Sequence, residues 1–339
     1  MSQQDIWTGT SGNWTTAADW TNSQDGTNAL PTSTQDAFIG FFNTGTPLVT
    51  TNVTVNSIGT NAASTLTIGQ TGVANVTFTA TNGTVLSGTD TSAIASGNLH
   101  DINVAVGSTL VIGSTFDNQG TLTIGLGANR SSSGTANLKL VNLVTLNGGG
   151  TVDLGKPDTN QGGNIVKNGS SGGLTNFNNT IVGSGSIALA EFDNEGGNVI
   201  AQGTEGARLQ VYATSNWTNG GTYTATSRNF LDLGQDGTPT TLINIGSINL
   251  DGQSTLQIAD NLDLLGFGLG AIVFKGADAA ITSDGQAATL INDRSTIEAN
   301  IFGGTIGDSH LTLINTSNSL IAVNGPCRSR KSNPAGFAW

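Results

Sequence analysis

Phe116-Asp117-Asn118-Gln119-Gly120, Phe192-Asp193-Asn194-Glu195-Gly196 and Trp217-Thr218-Asn219-Gly220-Gly221 repeat one pattern, aromatic-x-Asn-x-Gly, and its reading decides the fold. Phe177-Asn178-Asn179 begins a fourth copy, with Ile181 where glycine is expected. Between the copies run short alternating stretches such as Val53-Thr54-Val55 and Thr65-Leu66-Thr67-Ile68. Period-2 alternation argues for half-buried strands. Self-similar strands at variable spacing suit a solenoid with rungs of roughly 20–25 residues, because turns can lengthen while the stacked strands keep register. In that setting the aromatic points into the core, the Asn amide bonds from rung to rung, and the glycine supplies φ > 0 at the corner. Asn147-Gly148-Gly149, Gly183-Ser184-Gly185, Asp251-Gly252 and Asp284-Gly285 read as further corners.

Helix signals are nearly absent, and neither a blade-length period nor a strictly repeated hairpin signature favours a propeller, barrel or sandwich. The expected fold is all-β, a parallel β-helix made right-handed by the chirality of parallel crossovers. Residues 48–324 would form the solenoid. Trp7, Trp14 and Trp20, with Pro31 and the run Ala37-Phe38-Ile39, mark residues 1–47 as an N-terminal cap region over an otherwise open end. A second use of Trp7, Trp14 and Trp20 is a ligand-binding platform that stacks on sugars. Past Pro326 the strand pattern stops, and residues 325–339 read as a disordered or foreign tail.

Only 10% of the 339 residues are charged, against about 25% in ordinary proteins. The formal net charge is −12, and Arg328, Arg330 and Lys331 of the tail hold three of the eleven cations. Such a surface repels phosphate backbones, so nucleic acid is not an expected partner. Glycans, proteins, cations or further copies of the chain are. Cys327 is the single cysteine and excludes an intrachain disulfide or a cysteine metal site. Met1 leads into Ser2-Gln3-Gln4-Asp5 without a basic or apolar leader, so no signal peptide is read here. The best apolar run, Leu262 to Phe274, is broken by Asp263 and glycines and is too short to span a membrane.

The tryptophan-rich opening followed by Gly/Asn/Thr-rich strands with Asn-x-Gly corners resembles bacterial surface adhesins of the autotransporter-passenger and filamentous-haemagglutinin-like type over residues 5–324. The resemblance implies an extracellular or cell-surface β-solenoid used for adhesion or as a stalk. The chain departs from that family's pattern in lacking a signal peptide and a translocator barrel.

Chemistry-bearing residues are sparse. Glu191, Asp193 and Glu195 project to one face at strand spacing and form a candidate hard-cation site, with calcium the expected ion. With Glu205 and Arg208 close behind, the group is similar to pectate-lyase-like solenoids, which makes Asp193 and Arg208 the catalytic candidates. The alternative to an adhesin is therefore a hydrolase or lyase acting on polysaccharide or a small ester or lactone. His100 and His310 stand apart, without a third ligand at metal spacing. Gly183-Ser184-Gly185-Ser186 reads as a corner rather than a nucleophile elbow. Asp232 with Asp236, and Asp260 with Asp263, are loose acidic pairs beside turns.

Overall fold

Alternation determines which way each strand faces. In Thr65–Ile68 the side chains of Leu66 and Ile68 are fully buried while both threonines stay half-exposed, and Thr222–Ala225 and Thr296–Ala299 repeat the pattern. A strand with one apolar edge needs something to cover it, and here each rung covers its neighbours and the opposite walls of its own turn. The computed structural model describes residues 3–40, 44–60, 64–70, 75–82, 101–126, 135–155, 162–235, 237, 239–259, 262–300 and 303–323. Among them the strands build three long parallel sheets of 13, 11 and 9 strands and a shorter one of 4. Along most of each long sheet, neighbours are every third strand of the chain, so the backbone visits three walls in turn and returns one rung further on. This is a parallel β-helix. The described residues hold one short 3₁₀ turn, Ala17–Asp19, and no α-helix.

One rung shows the plan. Glu191–Asn194 lies in the nine-stranded sheet (the asparagine face), Asn198–Ala201 in the thirteen-stranded sheet (the threonine face) and Arg208–Ala213 in the eleven-stranded sheet (the groove face). Inward side chains then stack from rung to rung. On the threonine face Leu66, Ile102, Leu122, Val152, Ile181 and Val199 follow one another in register, then Tyr223, Ile248, Ile272 and Ile297. Tyr223 is fully buried in this aliphatic column and its hydroxyl has no hydrogen-bond partner there. Burial pushes its phenol well above the ordinary value, and the charge of Asp193 adds to the effect.

The expected asparagine stack is present. Asn176 Nδ2 donates to Asn194 Oδ1 (2.9 Å), Asn194 to Asn219 (2.8 Å) and Asn219 to Asn244 (2.8 Å), all fully buried. At the next position Gly266 interrupts the ladder, which resumes from Asn292 to Asn315 (2.7 Å). Each amide donates in the same direction along the axis, so the bonds polarise one another.

The glycines of the motif have a different reason from the one expected. Gly196, Gly197, Gly220 and Gly221 are not among the positive-φ residues. A Cβ on Gly197 would lie 2.0 Å from Asn176 Nδ2, and one on Gly221 would lie 2.2 Å from Gly197 O and 2.7 Å from Asn194 Nδ2. Glycine is needed there because the ladder amide and the neighbouring backbone occupy the space of a side chain. Left-handed backbone does occur at the corners Gly148-Gly149, Gly183, Gly185 and Gly285, and at Gln253 rather than at Gly252.

The motif register also needs correction. Leu174-Thr175-Asn176, not Phe177-Asn178-Asn179, aligns with Phe192-Asp193-Asn194, and Phe177 is 54% exposed. Phe116 aligns with Leu146 and through it with Asn176, so the first copy is displaced by two residues. Its Asn118 still joins the interior, with Nδ2 donating to Asn179 Oδ1 (2.9 Å) 61 residues on. Gly150, whose Cβ would stand 2.8 Å from that nitrogen, leaves the intervening rung open.

Trp7, Trp14 and Trp20 are core residues. Trp7 and Trp14 pack edge-on against Trp20 at 5.2 and 4.5 Å, and Trp14 against Phe78 at 5.2 Å. All three are buried, with Trp20 Nε1 donating to Trp14 O (2.9 Å). The sugar-stacking alternative fails because no ring face is left exposed. Gln3–Trp7 pairs antiparallel with Trp20–Asn22 and parallel with Gln35–Ile39. The expected tail 325–339 with Cys327, together with His100, Asp236 and Asp260, lies outside the described residues.

Candidate functional site

On the groove face the outward positions of successive strands fall into a column. Asn137, Asn164, Ser186, Gln210, Asp232, Gln257 and Thr282 are neighbours in register, one per rung. Arg208 begins the strand that carries Gln210 and lies beside Phe230, its guanidinium 4.1 Å from the ring centre. From there Nη1 donates to Asp232 Oδ2 (2.9 Å), one rung on, and to Gln257 Oε1, two rungs on. The planar guanidinium thus ties three rungs together from outside, as the asparagines do from inside.

A groove of about 490 Å³ opens at this point, lined by Arg208, Gln210, Asp232, Gln235, Gln257 and Asp284. Asp232 is the pivotal group. Its Oδ2 is taken by Arg208, but its Oδ1 is shielded from solvent and has no partner. Burial raises its carboxyl above the ordinary value; Arg208 opposes the shift and Asp284 reinforces it. Desolvation therefore outweighs the guanidinium's pull, and the ion pair stabilises the fold little. The site combines a fixed cation, a strained anion, a second carboxylate and three amides that both donate and accept.

The residues singled out in the sequence are not brought together here. Glu191 and Glu195 are exposed and Asp193 half-buried on the asparagine face, with Phe192 and Asn194 turned inward as expected. Asp193 Oδ1 accepts bonds from the backbone N–H (3.1 Å) and hydroxyl of Thr218, one rung on. Arg208 lies on the groove face, so Asp193 and Arg208 belong to different walls and do not form the arrangement the lyase resemblance implied. Among the described residues no three His, Cys, Asp or Glu side chains are grouped to hold a metal ion, so Glu191, Asp193 and Glu195 are not gathered into a calcium site. Glu205 pairs instead with Arg228 (3.0 Å) in the open. His310 Nδ1 touches Ser309 Oγ (3.1 Å), while Asp308 accepts backbone N–H groups of His310 and Leu311 and both the N–H and hydroxyl of Ser283. That carboxylate holds a turn and does not orient an imidazole.

Asp232 and Asp236 are a pair only in the sequence, Asp236 lying outside the described residues. Arg208, which bonds Asp232, and Gln257, its register neighbour, lie 24 and 25 residues away, close to the 25 residues that separate Asn194 from Asn219 and Asn219 from Asn244. That interval was the available signal. Among the described residues no helix is long and apolar enough to cross a membrane. Comparison with protein-family models, with curated proteins and with solved structures returned no match.

Proposed function

We propose that this chain is a surface-exposed structural and binding solenoid, an adhesin-like rod that contacts glycans or proteins outside the cell. The observation that supports the reading is the stack of three parallel walls among the described residues, held by directional amide bonds inside and polar columns outside. Such a stack is rigid, leaves few backbone groups for proteases, and offers a long, weakly charged, hydrogen-bonding surface. A second reading, hydrolysis or elimination on a polysaccharide, is favoured by the raised carboxyl of Asp232 facing a groove beside Asp284.

One experiment separates them. Purified protein is applied to a glycan array and an extracellular-matrix protein panel, and in parallel to polysaccharide and ester substrates with calcium and with chelator. Retention on a glycan or protein without turnover is the expected result. Turnover that disappears in Asp232→Asn would replace the binding reading with the enzymatic one.

A further inference from the structure

We propose that the groove around Arg208, Asp232 and Gln257 is a binding site for a neutral, extended oligosaccharide, lying along the polar column of the groove face. The proposal rests on the binding reading above and names its ligand class and its seat.

Four observations carry it. The first is size, since a groove of about 490 Å³ falls within the roughly 300–1,000 Å³ of small-molecule sites. Chemistry is the second: Gln210, Gln235 and Gln257 each offer an amide that donates and accepts, beside the donors of Arg208 and the acceptors of Asp232 and Asp284. Sugar hydroxyls are donors and acceptors at once and match such a mixture, whereas a simple anion or cation would satisfy only half of it.

The third is the ordering of the lining, since Arg208 Nη1 donates to Asp232 Oδ2 and to Gln257 Oε1 and so holds these side chains in place before a ligand arrives. The fourth is charge. Asp232 neutralises Arg208 and Asp284 remains, so anionic ligands such as phosphate or uronate chains meet a net negative site.

The column extends the argument beyond one sugar. Asn137, Asn164, Ser186, Gln210, Asp232, Gln257 and Thr282 recur at the strand spacing of about 4.8 Å, close to the advance of one pyranose unit in an extended glycan. Part of it is already aligned, with Ser186 Oγ donating to Asn164 Oδ1 (2.9 Å). A chain laid along the axis meets one polar side chain per rung.

The test is calorimetric titration of the full chain with neutral gluco- and manno-oligosaccharides of increasing length, with oligouronates, and with inorganic phosphate. Affinity should rise with neutral chain length and be weaker for oligouronates and phosphate. Gln210→Ala, outward-facing and outside the Arg208 hydrogen bonds, should lower affinity about tenfold with an unchanged melting midpoint, and Gln257→Ala, which also frees one Arg208 bond, should lower affinity at least as much. Thr123→Ala on the threonine face should leave it unchanged. If a glycan identified on the array binds equally well to both glutamine variants, the groove assignment falls while the adhesin reading stands. If oligouronates bind more tightly than neutral chains, the assigned ligand class is wrong. If the array and the protein panel both stay silent, the binding reading falls and the site with it.

Discussion

Asn219 has to donate and accept in the same fully buried place. Its Oδ1 takes the Asn194 amide and its Nδ2 serves Asn244 Oδ1 at 2.8 Å. Asn219→Ala removes both bonds, strands a donor and an acceptor in the core, and should cost about 2–4 kcal/mol in urea unfolding. Asn219→Asp should be worse at neutral pH, because a carboxylate cannot donate to Asn244 and is charged without a cation partner. Equal stability of Asn219→Asp and the parent would mean the ladder contributes nothing. The glycines make a matched comparison. Gly221→Ala meets Gly197 O at 2.2 Å and Asn194 Nδ2 at 2.7 Å, so backbone must move, at more than about 2 kcal/mol. Gly149→Ala has open space but φ of 78°, and should lose only about 1 kcal/mol. Similar losses in the two variants would contradict the steric account of the motif glycines.

At the scale of elements, a turn carboxylate and a strand carboxylate couple to folding in opposite senses. Asp308 sits after the short strand Thr305–Ile306 and binds the end of Ala280–Ser283 in the previous rung. Burial pushes its carboxyl up, but the N–H groups of His310, Ser283 and Leu311 and the Ser283 hydroxyl outweigh it and hold the pKa below 3.8. A carboxylate depressed in the folded state contributes stability that is present above the unfolded value of 3.8 and lost as pH falls through the folded one. Asp232 works the other way: its raised value favours the fold below 3.8 and the benefit is lost as pH rises through it. Asp308→Asn should therefore flatten the acid side of the stability profile, and Asp232→Asn the side just above 3.8, as read from melting midpoints between pH 2 and 7. A profile unchanged in both variants would show that these turns and columns do not couple to folding.

For the whole molecule, the stack sets shape. The thirteen strands of the threonine face, spaced about 4.8 Å apart, give an axial length of about 60 Å for the described solenoid. Small-angle scattering should show the cross-section of a rod and a longest dimension at least that large; a compact, near-spherical profile would be inconsistent with the stack.

Several of these features were legible beforehand. The alternation of Thr65-Leu66-Thr67-Ile68 implied half-buried strands, and Asn194 and Asn219 announced a rung-to-rung ladder, because both depend only on local pattern and on the chemistry of an amide with no water to bond. Other features were hidden. Whether Phe177 or Leu174 turns inward depends on pairing with Phe192, since either alternate set of a short strand can face the core until a neighbour fixes it. Likewise Asp193 and Arg208 are near in sequence yet on different walls, while Arg208, Asp232 and Gln257, far apart in sequence, share one groove. The sequence by itself determined an all-β stack with an internal amide ladder. Only the tertiary structure decided which outward residues meet, because that depends on which strands pair and in what register, and turns of different length leave no fixed interval to read: Asn176 and Asn194 meet 18 residues apart, Asn194 and Asn219 25 apart.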